Sequence, residues 1–281
     1  MLRLTALLIA LTAPAALAEK TGGPYVPTPQ TVVDAMLTFA QVGPRDFVVD
    51  LGSGDGRIVL TAARKFNARG FGVDIDRELV DQSNAEARKL GLAERVSFRR
   101  QDVLEAKIEE ATVLTLYLLP GMMQTLQPKL LRDLKPGTRI VAHDFPLVDW
   151  KADRELVVDV PEKYGTPGAW KSTIYYWVVP AKVEGLWDVS APALQADALA
   201  VTLRQQFQFV DGAAQLRGKR LPVSAGRLDG RGIAFTLPLP KGTAEFRGRA
   251  EDERMQGEVT QGGRSFTWHA VKVKAATTAA Q

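Results

Sequence analysis

A short apolar run, Phe47-Val-Val49, enters Asp50-Leu-Gly52-Ser-Gly54-Asp-Gly56, and helical periodicity resumes from Ile58 to Phe66. A strand that feeds a glycine-rich turn and then a helix is the opening of a βαβ unit. It commits the chain to a parallel sheet with helices on its faces. The flanking sequence extends the same alternation. Thr28-Pro29 reads as an N-cap and first helical position, followed by Val32, Val33, Met36, Leu37 and Ala40 at helical spacing. Further strands are expected at 70–73, 96–98, 113–118 and 139–142, and strand-like runs at 155–160 and 173–179. Helices are expected at 78–90 and 122–134, the latter containing Pro128. Asp50, Asp74, Asp102, Tyr117 and His143 all fall at strand ends. In an open parallel sheet those ends face the ligand crevice, so the five are expected to converge on one cleft.

The loop departs from the usual phosphate binders. A G-x-G-x-x-G fingerprint counted from Gly52 requires glycine at position 57, where Arg57 stands, and no G-K-[ST] follows. A carboxylate at Asp74 can accept both hydrogens of a ribose diol. Asp102 at the next strand end can accept from an adenine amino group. Together the loop and the two acids specify an adenosine without a pyrophosphate.

Val48-Val-Asp50-Leu-Gly-Ser-Gly-Asp-Gly56-Arg57 resembles motif I of the class I S-adenosylmethionine-dependent methyltransferases. Gly72-Val-Asp74-Ile-Asp76 and Gln101-Asp102 resemble the two motifs that follow it. The resemblance implies a Rossmann-like α/β sheet of seven strands and S-adenosyl-L-methionine as the donor. The implied cofactor contacts are Tyr25, Thr28, Asp50, Gly52, Ser53, Gly54, Gly56, Asp74, Ile75, Gln101, Asp102 and Tyr117. The loop Gly52–Gly56 would take the methionine part, Asp74 the ribose hydroxyls, and Gln101 with Asp102 the adenine edge. Tyr25-Val-Pro27-Thr28-Pro29, Thr115-Leu-Tyr117-Leu-Leu-Pro120, Leu130–Gly137 and His143-Asp-Phe145 narrow the likeness. They are similar to a bacterial group of unassigned methyltransferases. More distantly, they are similar to the mitochondrial protein-lysine methyltransferases that modify ATP synthase subunit c and the adenine nucleotide translocase. A protein lysine is therefore one candidate acceptor.

Transfer from a sulfonium needs alignment and a dry cleft rather than a metal. The composition agrees: cysteine is absent and only two histidines occur, which excludes thiolate catalysis and cysteine-ligated zinc. An amine acceptor must arrive neutral, and Tyr117 and His143 are the strand-end groups that could help remove its proton. Core packing is the competing reading for both. Leu116-Tyr117-Leu-Leu-Pro120 replaces the Asn/Asp-Pro-Pro-Tyr/Phe of DNA and glutamine N-methyltransferases, which speaks against base-amino and amide acceptors. Two other functions compete: a non-catalytic exported protein that retains the adenosine site, and aminopropyl transfer, for which the acids of a polyamine pocket are missing. Trp150, Tyr164 and Trp170 either rim an acceptor mouth or cover the sheet edge.

The two ends of the chain read differently. Met1-Leu-Arg3, an apolar run from Leu4 to Leu17 and the small-x-small Ala16-Leu17-Ala18 have the form of a signal peptide over residues 1–18. Export to the periplasm or beyond is expected, with an uncleaved membrane anchor as the alternative. The α/β domain is expected over residues 19–180. After Pro180 the chain turns to short alternating runs at 183–189, 199–209, 213–217, 221–228, 231–237, 243–250, 254–260 and 265–274. Asp211-Gly212, Asp229-Gly230, Lys241-Gly242 and Gly262-Gly263 punctuate them. This predicts an antiparallel β-domain over 181–274, a small barrel or sandwich, and a disordered tail over 275–281. The net charge of +4 lies wholly there: residues 181–281 carry 14 basic and 10 acidic side chains, and residues 1–180 carry 22 of each. So small an excess is a weak hint of a nucleic-acid or acidic-lipid partner, and it favours a mildly basic solvated surface over either, so a nucleic-acid partner is not expected.

Overall fold

The computed structural model describes residues 25–163, 165–194 and 196–273, with backbone alone for 196–198. The expected signal segment 1–18, Tyr164 and the tail 275–281 lie outside the described residues. The chain divides into two units, Met1–Leu134 with Ile140–Trp177, and Lys135–Arg139 with Val178–Gln281.

The first unit begins with α1 (Gln30–Phe39) and β1 (Phe47–Leu51), followed by α2 (Arg57–Phe66), β2 (Arg69–Asp74) and α3 (Arg77–Lys89). Next come β3 (Val96–Arg100), β4 (Val113–Leu116), α4 (Pro120–Asp133), β5 (Arg139–His143), β6 (Arg154–Lys163) and β7 (Thr166–Val178). The strands form one sheet in the order β3-β2-β1-β4-β5-β7-β6. β1 pairs parallel with β2 and β4, β2 pairs parallel with β3, and β6–β7 is antiparallel. The sheet reads as continuous apolar runs because helices cover both faces. Val48, Val49 and Leu51 of β1, Val113, Leu114 and Leu116 of β4, and Ile140 to Ala142 of β5 are all buried. Strand order reverses between β1 and β4, so the carboxyl ends of these two strands flank the crevice where ligands bind in such sheets.

Two local expectations change. Thr28 is not the cap of α1; Pro29 occupies that place without a side-chain bond. The Thr28 side chain is buried instead and faces His143, its Oγ1 lying 3.3 Å from Nδ1. Trp150 does not rim a mouth. It is fully buried, and its carbonyl accepts from Trp177 Nε1 at 2.7 Å. Trp170 is exposed and donates to its own strand's Thr166 carbonyl.

The second unit is a closed barrel of β8 (Gly185–Ala191), β9 (Ala196–Gln206), β10 (Phe209–Leu216) and β11 (Lys219–Asp229), with β12 (Gly232–Leu239), β13 (Gly242–Glu251), β14 (Arg254–Gln261) and β15 (Arg264–Lys272). Each strand pairs antiparallel with the next, and β15 returns to β8, which removes every free edge. The open choice between barrel and sandwich is thus decided for the barrel. The run expected as one strand at 199–209 is split by a tight turn at Phe207-Gln208, because Phe207 adopts φ 54°. No glycine marks that turn, so alternation alone carried the reading through it. Conversely, Asp211-Gly212 is no turn; Gly212 lies inside β10, where a Cβ would stand 1.9 Å from the Thr202 carbonyl.

Side chains fill the barrel. Trp187, Phe235, Phe246 and Trp268 are fully buried, and Trp268 meets Phe235 and Phe246 edge-on at 5.9 and 5.5 Å. Its Nε1 donates to the carbonyls of Arg247 and Glu258, so the one polar atom is satisfied. Trp268→Ala leaves a cavity among these rings and is expected to cost about 3–5 kcal/mol. Denaturant titration checks this, and a loss below about 1 kcal/mol would show that the interior collapses to fill the gap.

Candidate functional site

A cavity of about 410 Å³ opens at the carboxyl ends of β1 and β4, within the size range of small-molecule sites. Of the residues expected to contact a cofactor, Tyr25, Thr28, Asp50, Gly52, Ser53, Gly54, Asp74, Ile75 and Tyr117 line it. Gly56, Gln101, Asp102 and His143 are not among the lining residues. Gly56 serves packing: a Cβ there would fall 2.6 Å from the Phe98 ring. Asp102 and Gln101 are engaged by their own turn, Asp102 Oδ1 accepting from the Leu104 amide and Gln101 Nε2 donating to the Glu105 carbonyl.

Four of the five amides of the glycine loop are engaged within the protein. The amides of Gly52 and Ser53 both donate to the Val73 carbonyl at 2.9 Å, and that of Gly56 to the Ser53 carbonyl. The Gly54 amide donates to Asp74 Oδ2 at 2.8 Å, and the Asp76 amide to Asp74 Oδ1 at 3.0 Å. Asp74 therefore stitches the loop to the end of β2. Its remaining lone pairs are left for a ligand's hydroxyls. Gly54 has φ 52°, and a Cβ would meet Tyr25 Cε2 at 2.6 Å, so the loop passes directly under the Tyr25 ring. Glycine fits both demands.

Two charged residues missed by the motif count, Asp55 and Arg57, complete that wall. Arg57 stands where a dinucleotide fingerprint needs glycine. It makes a bidentate pair with Asp55, the Nη2–Oδ2 distance being 2.5 Å, and Nη1 donates to the Thr28 carbonyl at 2.8 Å. The pair fastens the segment Tyr25–Pro29 over the loop. Burial, and then the Asp55 carboxylate beside it, push the Tyr25 phenol above its ordinary value, so it stays protonated. Asp76, Leu79, Leu118, Leu119 and Phe145 also line the cavity. Asp76, Leu118, Leu119 and Phe145 stand inside the motif stretches without a role assigned to them, and Leu79 lies just beyond one.

Asp50 is buried and accepts from Thr115 Oγ1 at 2.6 Å. Desolvation dominates its chemistry and pushes the carboxyl up to about 7; the Thr115 bond opposes that, and the negative charges of Asp74 and Asp55 add to it. Such an acid at the cavity floor is a ready partner for a cationic ligand group. Ser53 Oγ is buried, lines the same cavity and has no partner. A buried hydroxyl left so is costly unless a ligand supplies its bond.

His143 corrects the expected convergence. It is fully buried, with Nε2 2.9 Å from Ser172 Oγ and Nδ1 3.3 Å from Thr28 Oγ1. Its ring lies 4.0 Å behind that of Tyr117, so Tyr117 faces the cavity and His143 supports it. Burial lowers its pKa to about 4; Asp144 pulls the other way and Lys163 reinforces the drop, Lys163 Nζ lying 2.6 Å from Asp144 Oδ2. The imidazole is therefore neutral at ordinary pH. Among the described residues, no three of His, Cys, Asp and Glu gather to hold a metal.

The profile of the ANTKMT methyltransferase domain matches residues 50–154, which span β1 to the start of β6. A protein-lysine N-methyltransferase of Saccharolobus islandicus is 41% identical over 157 residues, covering 56% of this chain and 93% of the relative. The chain belongs to the class I S-adenosylmethionine-dependent methyltransferases. Among these methyltransferases, the mouse adenine nucleotide translocase lysine N-methyltransferase is 32% identical over 128 residues, 46% of this chain and 56% of its own length. The solved structure of an RNA methyltransferase from Salinibacter ruber, with S-adenosyl-L-homocysteine, is 47% identical. It covers 56% of this chain and 96% of its own, with a TM-score of 0.51. The donor of this methyltransferase is S-adenosylmethionine, and the non-catalytic reading is not favoured. The orphaned Ser53 hydroxyl, the Cβ-free approach at Gly54, the internal bonds of the Gly52, Ser53, Gly54 and Gly56 amides and the buried Asp50 all fit that donor, which has a cationic amine and no phosphate.

Proposed function

We propose that this methyltransferase transfers a methyl group to the side-chain amine of a protein lysine, outside the cytoplasm. When bound in the cavity, S-adenosylmethionine would present its methyl carbon to a neutral amine, which forms the nitrogen–carbon bond in line as the carbon–sulfur bond breaks, S-adenosylhomocysteine leaving and the amine's proton passing to solvent. Asp50 takes the ammonium of the methionine portion, Ser53 donates to its carboxylate, and Asp74 accepts from the ribose hydroxyls. Gln101, whose amide donates to the Asp74 carbonyl, and Asp102 would turn from their own loop to the adenine edge. Tyr117, held from behind by neutral His143, fixes one wall of the acceptor side. The observation that carries the lysine reading is the character of that side: Tyr117 and Phe145 stack at 6.1 Å, and Leu118 and Leu119 adjoin them. An apolar, aromatic wall accommodates a lysine stem and disfavours its charged form, so the amine arrives as a nucleophile. The relatives named as lysine methyltransferases support the same acceptor.

Transfer of labelled methyl to envelope and cytosolic extracts tests this reading. Label in one envelope protein, removed by protease and recovered as methyl-lysine, is expected. Label removed by ribonuclease would overturn it and favour an RNA acceptor, as in the name of the Salinibacter ruber enzyme. A reporter enzyme fused after residue 30 checks export, and activity retained in the cytoplasm would remove the localisation. Arg57→Ala removes a charge-assisted bond to the Thr28 carbonyl, each worth about 1.5–3 kcal/mol. Binding of S-adenosylmethionine is expected to weaken about ten- to hundredfold, and unchanged affinity by calorimetry would show that the Tyr25–Pro29 wall does not depend on the clasp.

A further inference from the structure

An up-and-down barrel places alternate turns on the same rim. The turns β8–β9, β10–β11, β12–β13 and β14–β15 therefore share one end, while β9–β10, β11–β12 and β13–β14 share the other. At the first rim stand Arg217, Lys219, Arg220, Lys241 and Arg264, all exposed, against a single acid in sequence, Asp197. The unit's residues 181–281 carry 14 basic and 10 acidic side chains; setting aside these five and this one leaves nine of each. The whole +4 excess thus sits at one rim, with Glu184, Asp229, Glu251, Asp252 and Glu253 gathered towards the other. At that other rim the Ala181 amide donates to the Gly230 carbonyl.

We propose that the basic rim seats the barrel on a bilayer of acidic phospholipids. The cations ring the end of a closed barrel rather than lining a groove, which suits a plane of phosphates. Gly218, Gly242, Gly262 and Gly263, all exposed, flank the charges at three of the turns and add no side chain beside them. No aromatic side chain lies in the four turns, so the stacking platform of a single-strand RNA binder is missing. Among the described residues no large exposed apolar side chain lies in them either, so attachment is electrostatic, reversible and sensitive to salt. The proposal concerns the barrel alone and stands whatever the acceptor of the methyl group.

Vesicle partitioning of the full chain tests it, using phosphatidylcholine alone and an equal mixture with phosphatidylglycerol. Neutral vesicles report the contribution of the apolar N-terminus, and the rim is read as the added affinity on acidic ones. At about 1 kcal/mol per cation near the surface, Arg220→Glu with Lys241→Glu should lose about tenfold or more of that increment. Raised salt should reduce it likewise. The opposite-rim variant Arg231→Glu with Arg254→Glu should keep it. If the charge reversal fails to fold, the milder Arg220→Gln with Lys241→Gln serves in its place. Equal partitioning of native and rim variants overturns the proposal. So does tight, rim-dependent binding of a single-stranded RNA oligonucleotide without binding to vesicles.

Discussion

In the absence of cofactor, Asp50→Asn is expected to make the methyltransferase unit lose stability between pH 6.5 and 4 more steeply than the native chain does. The reason is that two buried groups act in opposite directions. The Asp50 carboxyl titrates at 3.8 in an unfolded chain and at about 7 when folded. Between those values the folded state holds the extra proton, so this group adds stability as the pH falls, by about 4 kcal/mol over the window. His143 titrates at 6.5 unfolded and about 4 folded. There the unfolded state holds the extra proton, so stability is lost as the pH falls, by about 3 kcal/mol. The two oppose each other in the native chain. Asp50→Asn leaves the His143 loss alone, and His143→Gln leaves the Asp50 gain, so that variant should be firmer near pH 5 than at pH 8. Thermal melts of the three proteins from pH 4 to 8 check both signs. Parallel curves would mean that one of the groups is hydrated. The same carboxyl shapes cofactor binding: as a counter-charge it must be ionised, so affinity should fall as the pH drops below about 7.

Asp74→Ala should produce the largest loss of binding. The substitution leaves the Gly54 and Asp76 amides without their acceptor and withdraws the partner of the ribose hydroxyls. At about 1–3 kcal/mol for each unsatisfied group, affinity for S-adenosylmethionine should fall by roughly tenfold to a thousandfold. Calorimetry with the cofactor and its demethylated product measures it. Unchanged affinity would remove the ribose assignment. Asp74→Asn retains one oxygen for Gly54 and should fall between the two.

The amino-acid sequence by itself determined the α/β alternation, the order of the glycine loop and its following acids, and the β-rich second half. These are local matters: a period of two or 3.6, a glycine where the chain must turn left-handed, an acid at a strand end. Apolar runs at β1, β4 and β5 could only be strands buried on both faces. The misread stretch at Phe207–Phe209 shows the limit of such signals, since a turn made without glycine leaves alternation intact. Tertiary structure alone decided which strand-end groups meet. Asp50, Asp74 and Tyr117 reach one cavity because β1 and β4 flank the reversal in strand order. His143 ends the neighbouring strand, yet it is packed behind Tyr117 by Thr28 and Ser172, which are 115 and 29 residues away in the chain. The clasp of Arg57 on Thr28, the orphaned hydroxyl of Ser53 and the gathering of the net charge at one barrel rim have the same origin. Each depends on pairs of residues far apart in sequence, whose meeting is fixed only when the sheet order and the barrel closure bring their strands together.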